Sequence, residues 1–160
     1  MKVGHMAENT IQRTLIIVKP DAVHRGLIGT VIGRLEARGL RVAALRLLHI
    51  DRNLAERHYE VHRGKPFFTG LVEYISSTPV VVAVFEGPNA VAVARATIGA
   101  TNPAEAAVGT IRGDFALEIS RNLVHGSDSV ESANHEIALY FRPEEITDYR
   151  RAIDPWLTEQ

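Results

Sequence analysis

Residues 122–137 read NLVHGSDSVESANHEI. His125 stands before Gly126 and Ser127-Asp128-Ser129, and a run with helix-start character follows, with Glu136 two turns into it. Four roles are open to such a histidine: metal ligand, acid–base group, nucleophile, or plain cap for the next helix. Three features point toward chemistry. Gly126 carries no side chain, which would let a bulky group approach the ring. The helix beginning near Ser129 would offer orphan N–H groups and a positive dipole end to an anion. Glu136 lies seven residues past Ser129 and shares its helix face. If the loop folds back, that carboxylate could hold one ring nitrogen and fix the tautomer, leaving the other as a nucleophile. Imidazole has a reference pKa of ~6.5, so it is largely neutral at pH 7 and attacks phosphorus without a strong base.

Other constellations are weaker. His58 and His62 sit four apart with Glu60 between them, a spacing at which two imidazoles can share a metal. The zinc-protease order needs glutamate directly after the first histidine, and Tyr59 stands there. The spacing therefore predicts a solvated helix face. His24, His49 and His135 have no recognisable partner and read as structural or surface residues. Gly26, Gly29 and Gly33 match neither G-x-G-x-x-G nor a Walker A loop, and Gly64-Lys65 lacks the upstream glycine and the following Ser/Thr. No standard phosphate loop is expected.

The elements that must position these groups follow from periodicity. Residues 14–18 (TLIIV) are a buried strand running into a loop at Lys19-Pro20-Asp21. Leu27, Ile28, Val31, Ile32 and Leu35 fall on one helical face, stopped by Gly39. Residues 40–50 read as a strand. Asn53 is a good N-cap for a helix to about His62, and a second short helix follows Pro66 to about Ser76. Residues 79–85 (PVVVAVF) are a strand, and 88–98 an alanine-rich helix with Pro88 near its first turn. Residues 99–121 are too long for a plain connector, as functional loops are. Residues 122–124 read as a short strand leading to His125. Asp128 and Glu131 resemble a capping box, and Val130, Ala133, Ile137 and Phe141 line the face of the helix that follows. Trp156 could anchor the less regular tail. The order predicts an α+β, ferredoxin-like βαββαβ fold: a four-stranded antiparallel sheet with helices on its faces, an inserted loop and a C-terminal extension.

Composition agrees. The chain of 160 residues fits one domain, here 10–160 with 142–160 as the extension. Residues 1–9 lack the apolar core of a secretory signal, and Met6 suggests that the preceding residues are an appended segment. The net charge of -1 and the lack of a basic run argue against nucleic acid as the main partner. Arginine far outnumbers lysine, which suits phosphates and carboxylates. There are no cysteines, as in a reducing cytoplasm, and no apolar run approaches the ~20 residues of a membrane span.

The segment Asn122-Leu-Val-His-Gly-Ser-Asp128 resembles the signature of the nucleoside diphosphate kinases. Residues 14–23 (TLIIVKPDAV), 64–72 (GKPFFTGLV), 98–107 (IGATNPAEAA) and 109–115 (GTIRGDF) are similar to other blocks of that family, in its order. The resemblance runs from about residue 13 to the end. It implies a ping-pong reaction in which the γ-phosphate of a nucleoside triphosphate moves to His125 and then to a nucleoside diphosphate, maintaining nucleotide pools. Residue by residue, it implies phosphorylation at Nδ1 with Glu136 orienting the ring, Ser127 contacting Glu136, and Tyr59 beside the histidine. Phe67 and Ile119 would flank the base, with Leu71 nearby. Lys19 and Asn122 would hold the ribose 3′-hydroxyl, and Arg95, Thr101 and Arg112 the phosphates. Mg²⁺ would be held by the nucleotide phosphates and not by protein ligands. The tail resembles that of hexameric members, so a homo-hexamer, a trimer of dimers packed near Pro103, is expected over a tetramer. The same phosphohistidine could also serve protein side chains as acceptors.

Overall fold

The computed structural model describes residues 10–159. The appended-segment reading of 1–9 lies outside the described residues. Strand β1 (Ile11–Val18) is buried on both faces from Thr14 to Val18, as its unbroken apolar run requires. It pairs antiparallel with β3 (Val80–Pro88) on one side and with β4 (Val124–Gly126) on the other. Strand β2 (Arg41–Leu48) pairs antiparallel with β3 and leaves an outer edge, giving the order β2-β3-β1-β4. This is the ferredoxin-like arrangement expected from the order of elements.

Alternation along β1 builds two cores. Ile16 and Val18 pack with α2 (Ile28–Ala37), α5 (Ala90–Ile98) and α6 (Ile111–Phe115) through Val31, Leu35, Ala94, Ile98 and Ile111. Leu15 and Ile17 pack with α3 (Arg52–His58), α4 (Phe68–Ile75) and α7 (Val130–Tyr140) through Ala55, Val72, Ile75, Ile137 and Tyr140. None of the helices among the described residues is long and apolar enough to cross a membrane.

Several local expectations shift. Lys19-Pro20-Asp21 is not a loop: Pro20, whose fixed φ suits a first helical position, opens the short helix α1 (Pro20–His24). The cap of α3 is Asp51, which accepts from the Leu54 N–H, and the helix ends at His58 before a 3₁₀ turn. Pro88 ends β3 instead of starting α5, because Asn89 between them adopts the left-handed conformation, φ 51°. The cap of α7 is Ser129, not Asp128, with Ser129 Oγ accepting from the Ser132 N–H at 3.0 Å. Val130 lies outside the buried face; Glu136 and Tyr140 take part in it instead.

The extension after α7 runs along the open edge of β2. The β2–β3 register slips between Val42 and Ala44, and the Ala43 carbonyl accepts from the Thr147 N–H at 2.8 Å. Tyr149 Oη donates to the Val42 carbonyl at 2.7 Å, and Arg151 donates to the carbonyls of Gly39 and Leu40 at 2.9 and 3.2 Å. Arg41 ties the segment down by bonding both Glu86 and Asp148. The last helix, α8 (Asp154–Leu157), leaves Trp156 88% exposed, so this side chain does not anchor the tail on the described residues. Truncation after Phe141 removes these bonds, each worth about 1 kcal/mol, and should lower the melting temperature by roughly 5–15 °C. An unchanged melting curve would mean that the extension contributes nothing to the fold.

Candidate active site

The placement of His125 follows from strand parity. Ile17 and His125 are directly paired across β1 and β4, and so are Ile16 and Gly126. Paired residues point to the same face. His125 therefore emerges on the face covered by α3 and α7, where Glu136 and His58 also lie. Gly126 points the other way: a Cβ there would stand 2.8 Å from Ile98 Cδ1. The glycine faces the core against α5, not the approach to the ring. The expected strand at 122–124 ended too early to reveal this.

His125 Nε2 and Glu136 Oε1 form a short hydrogen bond. Glu136 is buried and comes from the second turn of α7. Ser127 Oγ lies 3.5 Å from the same Glu136 oxygen, and accepts from the Leu15 N–H at 3.1 Å. Its own N–H donates to Leu15 O at 3.1 Å. Ser127 thus fastens the end of β4 to β1 behind the carboxylate. Because a carboxylate accepts, Nε2 carries the proton and Nδ1 keeps the lone pair.

The residues before β4 carry strain. Leu123 is buried at φ 74°, a conformation costing about 1–3 kcal/mol. It is held by its N–H to Asp21 Oδ2 at 3.0 Å and by the Lys19 N–H to its carbonyl at 2.9 Å. Tyr74 Oη steadies Asp21 at 2.5 Å. The turn sets Asn122 against Lys19, whose Nζ donates to Asn122 Oδ1 at 2.7 Å. Asn122 Nδ2 in turn donates to Thr101 O at 2.9 Å. Arg112, at the start of α6, donates to the carbonyls of Asn122, Gly99 and Val124 at 3.1, 3.1 and 2.6 Å. Three of its five N–H donors thus pin the loop after α5, and two are left for a ligand. Arg95 donates to Gly126 O at 3.2 Å and is more exposed.

His125, Glu136, Lys19, Asn122, Thr101, Arg112 and Arg95 line one cleft of about 720 Å³. Tyr59, Phe67, Leu71 and Ile119 line it too, with Phe67 51% and Ile119 58% exposed, so two large apolar groups stand open to solvent at one cavity. Every sequence-selected site residue is therefore in the cleft or directly behind it. Burial lowers the Lys19 pKa to about 8, helped by Arg112 and Arg121 and opposed by Asp21. Burial and Arg95 lower that of Arg112 to about 10. Both remain cations at neutral pH. Burial next to Glu136 pushes Tyr59 up to about 12, so its hydroxyl keeps its proton.

Three histidines read as bland in the sequence are in the cleft: His58, His62 and His135. His58 is not on a solvated face. Its Nδ1 is sealed from solvent, and its ring stands edge-on to His125, centroids 4.8 Å apart. His62 packs against Phe67 at 5.4 Å. Sequence spacing could not find the His58 contact, because it is made between distant segments. His49 instead bonds Ser76 O at 2.7 Å. Among the described residues, His58, His125 and Glu136 are the sole group of three potential metal-ligating side chains within 4.8 Å. Two of its three members are nitrogen ligands, a poor set for a hard cation such as Mg²⁺, which prefers oxygen.

Comparison with known proteins identifies a family. A family model described as nucleoside diphosphate kinase matches residues 12–146. A nucleoside diphosphate kinase of Thermomicrobium roseum is 58% identical over 147 residues, 92% of this chain and 99% of that protein. One of Roseiflexus castenholzii is 57% identical over 149 residues, 93% of this chain and 100% of that protein. The solved structure of a halophilic nucleoside diphosphate kinase from Halobacterium salinarum, in complex with CDP, superposes with TM-score 0.91 at 44% identity, covering 94% of this chain and 100% of that one. A family member from Babesia bovis gives 0.89 at 43%, covering 92% and 99%. The matched span contains the whole path from Lys19 to Glu136, and the chain belongs to the nucleoside diphosphate kinase family.

Proposed function

We propose that His125 is the residue phosphorylated in the family's reaction, with Nδ1 as the attacking atom. The reaction itself is the family's: the γ-phosphate of a nucleoside triphosphate passes to an enzyme histidine, and from there to a nucleoside diphosphate. The observation that carries the assignment is the His125–Glu136 bond, which occupies Nε2 and leaves the Nδ1 lone pair unprotonated. Nδ1 attacks the γ-phosphorus, the bond to the β,γ-bridging oxygen breaks, and the diphosphate leaves. The second diphosphate attacks the phosphohistidine with a terminal oxygen and regenerates the imidazole. Phosphoryl transfer of this kind is mostly positioning and charge neutralisation. Glu136 holds the ring and stabilises the positive charge it gains; Ser127 steadies Glu136.

The nucleotide lies with its base between Phe67 and Ile119, near Leu71, and its ribose 3′-hydroxyl at Lys19 and Asn122. Its phosphates meet Arg95, Thr101 and the two remaining donors of Arg112, with the Tyr59 hydroxyl beside His125. The Halobacterium relative was solved with CDP, and by likeness the same cleft takes nucleoside di- and triphosphates here. Kinases of this family need a divalent metal, which we assign as Mg²⁺ carried on the phosphate oxygens. When bound, it neutralises phosphate charge that Lys19, Arg95 and Arg112 leave uncompensated. We further assign a homo-hexamer in the cytoplasm. The support is the exposed Leu45 and Leu47 on edge strand β2, the exposed Val108 and Leu117 in the loop near Pro103, the long extension and the absence of cysteine.

After incubation with ATP and Mg²⁺, mass spectrometry should find one acid-labile, base-stable phosphoryl group on His125. His125→Ala should abolish it together with turnover, and Glu136→Gln should lower kcat by about 10²-fold with little change in KM. A phosphorylated His125→Ala protein would refute the assignment. The Lys19 ammonium loses its proton as pH rises through about 8. Its charge is thus present at pH 7 and lost above, so kcat/KM should fall on the alkaline side of pH 8. Lys19→Arg, which stays charged, should flatten that limb even at reduced rate; an identical alkaline limb would remove Lys19 as its cause. Leu47→Glu should lower the solution mass if β2 forms a subunit contact, whereas an unchanged mass would count against the assembly.

A further inference from the structure

We propose that His58 is a positioning residue for the phosphoryl acceptor: its ring, set edge-on against His125, fixes the plane in which Nδ1 meets the incoming phosphorus. The proposal rests on His125 being the nucleophile. It supplies what Glu136 alone cannot.

The Glu136 bond fixes one atom of the His125 ring, Nε2, and the chain fixes Cβ. Those two points lie nearly across the ring from each other. A ring held only there can rock about the line joining them, and the rocking swings Nδ1 sideways. A misplacement of ~1 Å at a reacting atom can cost about 10²-fold in rate. A second contact on the flank of the ring is therefore needed, and His58 provides one. The two rings are 4.8 Å apart at 80°, within the favoured edge-to-face range.

His58 is itself held from two other sides. Tyr59 packs on it at 4.8 Å and 88°, and Tyr140 from α7 at 5.7 Å and 64°. It is thus a wedge where α3, α7 and β4 meet. Its Nδ1 is buried with no hydrogen-bond partner among the described residues, so ring packing, not a polar bond at that atom, defines its place. Its charge state also suits the role. Burial first, then His125, His135 and His62, push its pKa well below the usual histidine value. Glu136, Tyr59 and Tyr140 are the other titratable groups around it. A neutral ring gives His125 a flank without offering the phosphorylated intermediate a counter-ion that would hold the phosphate back.

The same contacts continue to the mouth of the cleft: Tyr59 meets His62 at 6.3 Å, and His62 meets Phe67 at 5.4 Å. The surface proposed to seat the base and the ring proposed to accept phosphorus belong to one packed series of rings.

The test is single-turnover phosphorylation of the full chain by ATP and Mg²⁺, with nucleotide affinity and melting temperature measured in parallel. The variants are His58→Ala, His58→Phe and His58→Asn. His58→Ala should slow phosphorylation roughly 10- to 100-fold while the nucleotide Kd stays within about twofold. His58→Phe restores a ring and should recover most of the rate; His58→Asn, polar without a ring, should not. The proposal is overturned if His58→Ala reacts at the parent rate, if its loss lies wholly in Kd, or if Asn rescues where Phe fails. Should the alanine variant not fold, the Phe/Asn comparison still decides. A parent protein that takes no phosphate would sink the nucleophile assignment itself, whereas a parent and His58→Ala that react alike would sink this proposal alone.

Discussion

A single contact sets the terms for the rest of the molecule: the His125 imidazole against the buried Glu136 carboxylate. It requires β4 to lie antiparallel beside β1, in a register that puts His125 opposite Ile17. It also requires α7 to return across that same face. A slip of one residue in β4 would turn His125 into the core beside Ile98 and bring Gly126 to the cleft. Two constraints guard against the slip. Ser127 is bonded to Leu15 through both its N–H and its Oγ, and a side chain at the Gly126 position would press on Ile98 Cδ1, 2.8 Å from its Cβ. Register, packing and reactivity are therefore one constraint seen at three levels.

The cations of the cleft extend the same logic. A flexible arginine would have to be ordered and partly desolvated each time a phosphate arrived. Arg112 has already met that cost, because three backbone carbonyls hold its guanidinium in place before any ligand binds. Lys19 is similarly fixed on Asn122, at the strained turn of Leu123. The strain is tolerable because Asp21 and the Lys19 backbone occupy both polar groups of Leu123. In the proposed transfer such fixed charges would need no reorganisation, which is how preorganised groups lower a barrier.

Much of this was legible in the sequence, for physical reasons that differ by element. The runs at 14–18 and 80–85 are continuous and apolar because β1 and β3 are covered on both faces. Glu136 could be paired with His125 because helical spacing fixes where a carboxylate two turns in must point. The caps were off by one or two residues, because Asp51 and Asn53, or Asp128 and Ser129, are near-equal cappers and only tertiary context chooses between them. Gly126 was misread because its role depends on strand parity, which needs the strand boundary first. His58 was misread for a deeper reason: periodicity reports which face a residue occupies, not which distant residue meets it there.

The proposed base site gains its character from what the fold leaves exposed. Phe67 and Ile119 stay half open, while Glu136, Ser127, Asn122 and Arg112 near His125 are buried. A base stacked between them would contribute through its π-face, which all nucleobases share, and would not have to satisfy buried edge donors or acceptors. Selectivity built from unpaired polar groups could not arise at such a rim, since water would satisfy any group the base left free. Precision is concentrated instead at the proposed ribose and phosphate end, where backbone carbonyls hold Asn122 and Arg112, Asn122 holds Lys19, and Glu136 holds His125. On the proposed reading, stacking can be tolerant of the base while phosphoryl transfer stays exact, and a rigid sheet edge with a loose apolar mouth is a direct way for a chain to combine the two.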